Sequence, residues 1–132
     1  MLFVYEVKTK KREELVDITN YLLDAVEKSR VRDGIAIIYC PHTTAAITIN
    51  ENADPTVKED IINFLSHLIP KNFNYRHLEG NSDAHIKSSL IGSSETIIIK
   101  DGKPLLGTWQ GLFFAEFDGP RTRKVYIKII EG

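Results

Sequence analysis

One cysteine is too few for a disulfide within the chain, and Cys40, set in the apolar run GIAIIYC, reads as a small buried hydrophobe rather than a reactive thiol. A dominant charge is lacking too. Seventeen Lys and Arg against eighteen Asp and Glu leave a formal charge of −1, which provides no broad footprint for nucleic acid or an anionic membrane. Neither partner is expected, and any anion has to be bound locally. No stretch approaches the roughly 18 apolar residues of a membrane helix. The N-terminus MLFVYEVKTK has no basic segment leading into a long apolar one. A cytoplasmic location is therefore expected. Repeats, low-complexity tracts and Gly/Ser linkers are also missing. With 132 residues, 42% of them hydrophobic, the chain is long enough to bury a core, so a single domain over 1–132 is expected.

Within that frame the pattern alternates between two periods. FVYEVKT has a β-type composition. Ile18, Tyr21, Leu22, Ala25 and Val26 then fall on one helical face, with Asp17 available as N-cap and Gly34 beyond the stop. GIAIIYC and AAITINE read as strands flanking PHTT. A second helix is bounded by Asp54 as N-cap, Pro55 at its first position and Pro70 past its end. SDAHIKSSLIG reads as a short helix stopped by Gly92. ETIIIK, LLGTW, LFFAEF and KVYIKII read as strands, separated at DGK and DGP by turns. Helices inserted early and strands dominating late predict an α+β fold with two longer helices and one short one.

Polar residues concentrate where elements end. His42, His77 and His85 each stand in a polar segment beside an element boundary, in CPHTT, YRHLEGN and SDAHIKSS. His67, beside the apolar stripe of the second helix, reads as a surface residue. Rigidly anchored loops are common sources of ligands and catalytic groups. Imidazoles suit zinc, and three protein ligands with one open position is the usual catalytic arrangement. The alternative is three unrelated, hydrogen-bonded histidines. GNSDAHIKSS joins a turn at Asn81 to a helix N-terminus, Lys87 and Ser88, a combination suited to an anion, although no Walker A spacing is present. DGPRTRK adds Arg121 and Arg123, two residues apart, as either a phosphate fork or a solvated hairpin end. Trp109 and Gln110 in GTWQG form either a core aromatic at a bulge or a flat wall with an amide that reads a ring. Glu51 and Glu116 lie in or beside strands, on the solvent face or in a site.

PHTTAAITINENADP, YRH followed by EGN, AHIKSSLIGSS, GTWQG and EFDGPRTRKV, in that order, closely resemble the YjbQ-like family from about residue 5 to the C-terminus. Members of that family are described as secondary thiamine-phosphate synthases. The resemblance implies a compact α+β homotrimer of meandering, mainly antiparallel sheets, with a metal-binding or catalytic cluster at His42, His77 and His85. On this reading, residues 41–55 form one wall of a site. His42 supplies an imidazole there, Thr43 and Thr44 supply hydroxyls, and Asn50 with Glu51 supplies an amide and a carboxylate. The implied reaction joins a pyrimidine-methyl diphosphate to a thiazole phosphate and releases pyrophosphate. Lys87 and Arg121 would then steady the diphosphate, Trp109 would face the flat ring, and zinc, or magnesium with the diphosphate, would be the cofactor. Two alternatives stand beside it: a non-catalytic trimer that binds a metal or a phosphorylated metabolite, and a metal-dependent phosphoester hydrolase.

Overall fold

The computed structural model describes residues 1–132 as eight strands and three helices. In chain order they are β1 (Leu2–Lys8), β2 (Glu14–Asp17), α1 (Thr19–Ser29), β3 (Gly34–Tyr39), β4 (Ala45–Glu51), α2 (Pro55–Leu68), α3 (Ser82–Ile91), β5 (Ser94–Lys100), β6 (Lys103–Pro104), β7 (Gln110–Glu116) and β8 (Thr122–Glu131). The α+β expectation holds, and every strand pairing is antiparallel. No helix is long and apolar enough to cross a membrane.

Local chemistry accounts for most of the boundaries. The Asp54 carboxylate accepts the Thr56 N–H at 3.0 Å, and Pro55 opens α2 as expected. Asp17 also accepts the N–H of Thr19, at 2.9 Å, although Ile18 occupies the cap position of α1. That helix stops at Arg30, in the left-handed region with φ 59°, rather than near Gly34. Gly34 instead begins β3, where a Cβ would stand 2.1 Å from the Ile130 carbonyl oxygen. Only a glycine lets β3 and β8 approach that closely. β2 was not anticipated, and the expected strand LLGTW is a loop, with β6 reduced to two residues just before it.

The strands form two sheets, a five-stranded one ordered β1-β8-β3-β5-β6 and a three-stranded one ordered β2-β7-β4. The three-stranded sheet is buried on both faces. Ala45, Ile47, Leu112 and Phe114 pack toward the five-stranded sheet and α1, in one core with Ile38, Leu22 and Ile127. Ala46, Phe113 and Ala115 pack the opposite way, against Leu65 of α2 and Ala84 of α3. Burial on both sides explains why LFFAEF is continuously apolar up to its glutamate, without the alternation of a half-exposed strand. The five-stranded sheet has no layer on its outer face, where Leu2, Val4, Tyr39, Ile98 and Ile130 are exposed.

Helix α3 is fixed by buried charge as well as by packing. The side chains of Asp83 and Lys87 are 0% and 1% exposed. Arg12 forks onto Asp83 at 3.1 and 3.0 Å, Lys87 donates to Asp83 at 3.0 Å and pairs with Glu13, and the Ser66 hydroxyl donates to Glu13 at 2.6 Å. The network ties the segment before β2 to α2 and α3. Burial by itself would raise the Asp83 pKa, but the bonds from Arg12 and Lys87 outweigh it and hold the carboxyl below its ordinary range. Lys87→Met leaves Glu13 and Asp83 short of a partner. Breaking a buried pair costs roughly 3–5 kcal/mol, and the lower end applies because Arg12 remains on Asp83. Urea unfolding should register that loss; unchanged stability would show that the network does not hold α3.

Candidate functional site

The site is organised by an ion pair between the two sheets. Glu116, the last residue of β7, and Arg123, near the start of β8, both point into the interface and are 0% and 3% exposed. The Arg123 Nε donates to Glu116 at 2.9 Å, and its Nη2 pairs with the second carboxylate oxygen. Nη2 also reaches the Thr44 hydroxyl at 2.8 Å and the Thr44 carbonyl at 3.3 Å. Glu116 further accepts the Thr9 hydroxyl at 2.8 Å and the Asp118 N–H at 3.0 Å. Burial pushes the Glu116 pKa up; the bonds from Arg123, Asp118 and Thr9 together overcome it and keep the carboxyl below its usual range. The pair therefore stays charged, and it holds Thr44 and the β7–β8 connection in place.

Above it lies a cleft of about 390 Å³ bounded by residues 41–44, the start of α3 and the β7–β8 connection, with no hydrophobic residue in its lining. Arg123 forms part of its lining and Arg121 stands at its edge. Asp118 orients Arg121 by accepting from Nε at its carbonyl, 2.8 Å, and from Nη2 at its carboxylate, 3.0 Å. Asn81 donates to the same carboxylate at 2.9 Å. His42 is fixed from outside: its Nε2 accepts the Lys124 N–H at 3.0 Å, so the neutral ring carries its proton on Nδ1. Partial burial first, and the Arg123 charge second, lower the His42 pKa from its ordinary value. His85 faces the same cleft and also lines a second one, of about 500 Å³, again together with His42 and Thr43.

The structure divides the expected site residues into groups. His42, Thr43, Thr44, Asn81, His85 and Arg121 converge on the first cleft, and Ser88 joins His42 and His85 in the second. Asn50, Glu51, Trp109 and Gln110 do not join them. Glu51 pairs with Gln110 in the β4–β7 register while Ala45 pairs with Glu116, so the two groups lie at opposite ends of one ladder, about 20 Å apart. There Glu51 accepts the Ala53 N–H, Asn50 the Glu51 N–H and Gln110 the Gly107 N–H, and Trp109 is 64% exposed. Residues 41–55 are thus two separate polar ends of a strand, not one wall. Lys87 is committed to Asp83 and Glu13. Arg123 takes the interior position, and of the two places open to its partner Glu116, the solvent face or a site, the carboxylate occupies the buried one. The sequence signal for the pair was a charged residue ending the apolar run LFFA, together with the two-residue spacing of the arginines.

The zinc centre expected at His42, His77 and His85 is not formed. No three His, Cys, Asp or Glu side chains are grouped so as to hold one ion. His77 stands edge-on to His85, with ring centroids 5.7 Å apart, and its Nε2 is 3.8 Å from Glu79. The His42 Nε2 is already occupied by the Lys124 N–H. The donor set does not fit the metal, and no chemistry at this site is derived through one.

Residues 4–132 match the family described as UPF0047 protein YjbQ-like. The chain is 78% identical to a UPF0047 protein of Methanocaldococcus jannaschii over 98% of this chain and 94% of that protein. It is 50% identical to the UPF0047 protein YugU of Bacillus subtilis, over 98% and 99% respectively. A crystal structure of an uncharacterized conserved protein of the YjbQ/UPF0047 family from Clostridium acetobutylicum superposes with a TM-score of 0.96 at 58% identity, covering 97% of this chain and 99% of that one. A YbjQ-like protein of unknown function from Sulfolobus solfataricus also gives 0.96, at 32% identity, over 100% and 97%. These descriptions assign no activity, and none supports thiamine-phosphate synthesis. The transferase drawn from the resemblance is therefore corrected, together with the zinc centre at His42, His77 and His85. The chain belongs to the UPF0047 protein YjbQ-like family.

Proposed function

We propose that the cleft beneath His42 and His85 binds a small phosphorylated metabolite. The observation that carries this reading is the convergence of two guanidinium groups, Arg121 and Arg123, with the hydroxyls of Thr43 and Thr44 on a cavity whose lining has no hydrophobic residue. Each guanidinium spends Nε and Nη2 on its acidic neighbour and keeps Nη1 to donate to a phosphate oxygen. Arg123 is restrained by Glu116 and Arg121 by Asp118, so little ordering cost remains when an anion arrives. His42, with Nε2 occupied and its proton on Nδ1, can donate one hydrogen bond to the bound ligand. A cytoplasmic location accords with a single, free, buried cysteine. The exposed apolar face of the five-stranded sheet supports the homotrimer implied by the family resemblance, since Leu2, Val4, Tyr39, Ile98 and Ile130 would be covered in an assembly.

Three outcomes are expected. Titration with inorganic phosphate, followed by amide NMR shifts, should perturb residues 42–44 and 121–123, and Arg121→Lys should weaken binding about tenfold by removing the guanidinium that Asp118 orients. Wild-type and variant proteins that show no shifts would remove the phosphate reading.

The second outcome concerns His42, whose folded pKa lies below that of the unfolded chain. The unfolded chain then takes up the proton first as the pH falls. Stability contributed by the neutral ring is complete above the ordinary imidazole range and is lost as the pH drops through the folded pKa. Between pH 7 and 5, wild-type protein should lose more unfolding free energy than His42→Gln, which keeps an acceptor for the Lys124 N–H. Equal pH dependence in urea titrations would mean that the ring is not held neutral.

Third, light scattering should give three times the chain mass. Ile98→Lys, on the exposed sheet face, should lower it. A monomer at micromolar concentration would contradict the trimer.

A further inference from the structure

Every buried side-chain nitrogen and oxygen in the chain has a hydrogen-bond partner except two, Asn81 Oδ1 and Ser88 Oγ. Both belong to residues lining the two adjacent clefts at His42 and His85: Asn81 the first, with Arg121 and Arg123, and Ser88 the second. Buried polar atoms are rarely left unpaired because each lost bond is costly. Two such atoms, one in each adjoining cleft, mark where a ligand completes the bonding. Ser88 is the stronger of the two, being only 8% exposed. Its neighbour on α3, Ser89, has already donated its hydroxyl to the His85 carbonyl at 3.0 Å.

The chemistry of the second cleft narrows the ligand. Of its eight lining residues only Ala45 is hydrophobic, while Thr43, Ser88, Ser89 and Ser93 carry hydroxyls. It offers no flat apolar wall for an aromatic body and no Asp, Glu, Lys or Arg. Gly92, which also lines it, has nothing within 4 Å of where a Cβ would stand. His42, Thr43 and His85 line both clefts and so stand at their boundary. One molecule with an anionic end and a hydroxyl-rich end fits the pair. Asn81 Oδ1, a free acceptor among groups that bind an anion, calls for a ligand O–H rather than a phosphate oxygen.

We propose that the two clefts form one site for a phosphorylated polyol or sugar. The phosphate lies at Arg121 and Arg123, and the hydroxylated body lies in the Ser88 cleft with a ligand hydroxyl bonded to Ser88 Oγ. This rests on the phosphate reading above and adds the identity of the body.

The test compares inorganic phosphate, ribose 5-phosphate and butyl phosphate as probes of the full chain, wild type and Ser88→Ala, by NMR titration. Ribose 5-phosphate should bind wild type at least tenfold more tightly than inorganic phosphate, and butyl phosphate should bind no more tightly. Ser88→Ala should lose about tenfold for ribose 5-phosphate and leave inorganic phosphate unchanged. Because the hydroxyl has no partner within the protein, the variant should unfold at no lower temperature than wild type, so a loss of affinity is not a loss of fold. If inorganic phosphate binds but ribose 5-phosphate has no advantage, the second cleft does not take the body and the inference is overturned while the phosphate reading stands. An unchanged ribose 5-phosphate affinity in Ser88→Ala overturns it as well, since the hydroxyl then needs water only. If no phosphate compound binds, both readings fall.

Discussion

The Glu116–Arg123 pair is the constraint on which the site depends. It joins the end of β7 in one sheet to the start of β8 in the other, at the edge of the core formed by Phe114, Val125 and Ile127. Two charges removed from water are tolerated only if nearly every lone pair and proton finds a partner. Here Thr9, Thr44 and the Asp118 N–H supply the remaining bonds, and they come from β1 and its following turn, the start of β4 and the β7–β8 connection. The requirement to satisfy one carboxylate therefore gathers several distant segments around a point. The cleft is the surface of that gathering.

A second buried charge network lies on the far side of the three-stranded sheet, where Arg12, Glu13, Asp83 and Lys87 hold α3. This network fixes the helix that carries His85 and Ser88, while the first fixes the strands and turns that carry His42, Thr44 and Arg121. The two imidazoles, one carried by each scaffold, line both clefts. Neither histidine is held by a carboxylate in the manner of a catalytic triad. His42 is held by a backbone N–H and lowered by burial and by the Arg123 charge, which suits it to a neutral role.

The charge balance of the first cleft bears on the proposed ligand. Arg121 and Arg123 face Asp118 and Glu79, with Glu116 behind. A strongly anionic ligand with no donors of its own would meet carboxylates as well as guanidiniums. A phosphate ester bearing hydroxyls can satisfy both signs, and Asn81 adds an acceptor for one of them. Specificity of this kind comes from unpaired polar groups that only the right ligand completes.

By itself the sequence determined the α+β class, the capped start of α2 at Asp54 and Pro55, the stop of α3 at Gly92, the family, and several histidine, threonine and arginine positions in the cleft. These depend on local periodicity, on capping chemistry or on contiguous motifs. Strand β2, four residues long, is too short to display a period, and the apolar residues of LLGTW took the form of a strand although the chain there is a loop. Only the tertiary structure decided which cation is interior to the cleft. Lys87 and Arg123 are equally plain in sequence, but the first lies between two carboxylates on α3 and the second beneath His42. It also separated the two ends of residues 41–55, because an extended strand carries them about 20 Å apart. The reason is range: Thr9 meets Glu116 across 107 positions and Arg123 meets Thr44 across 79, and no local pattern encodes a contact made by folding.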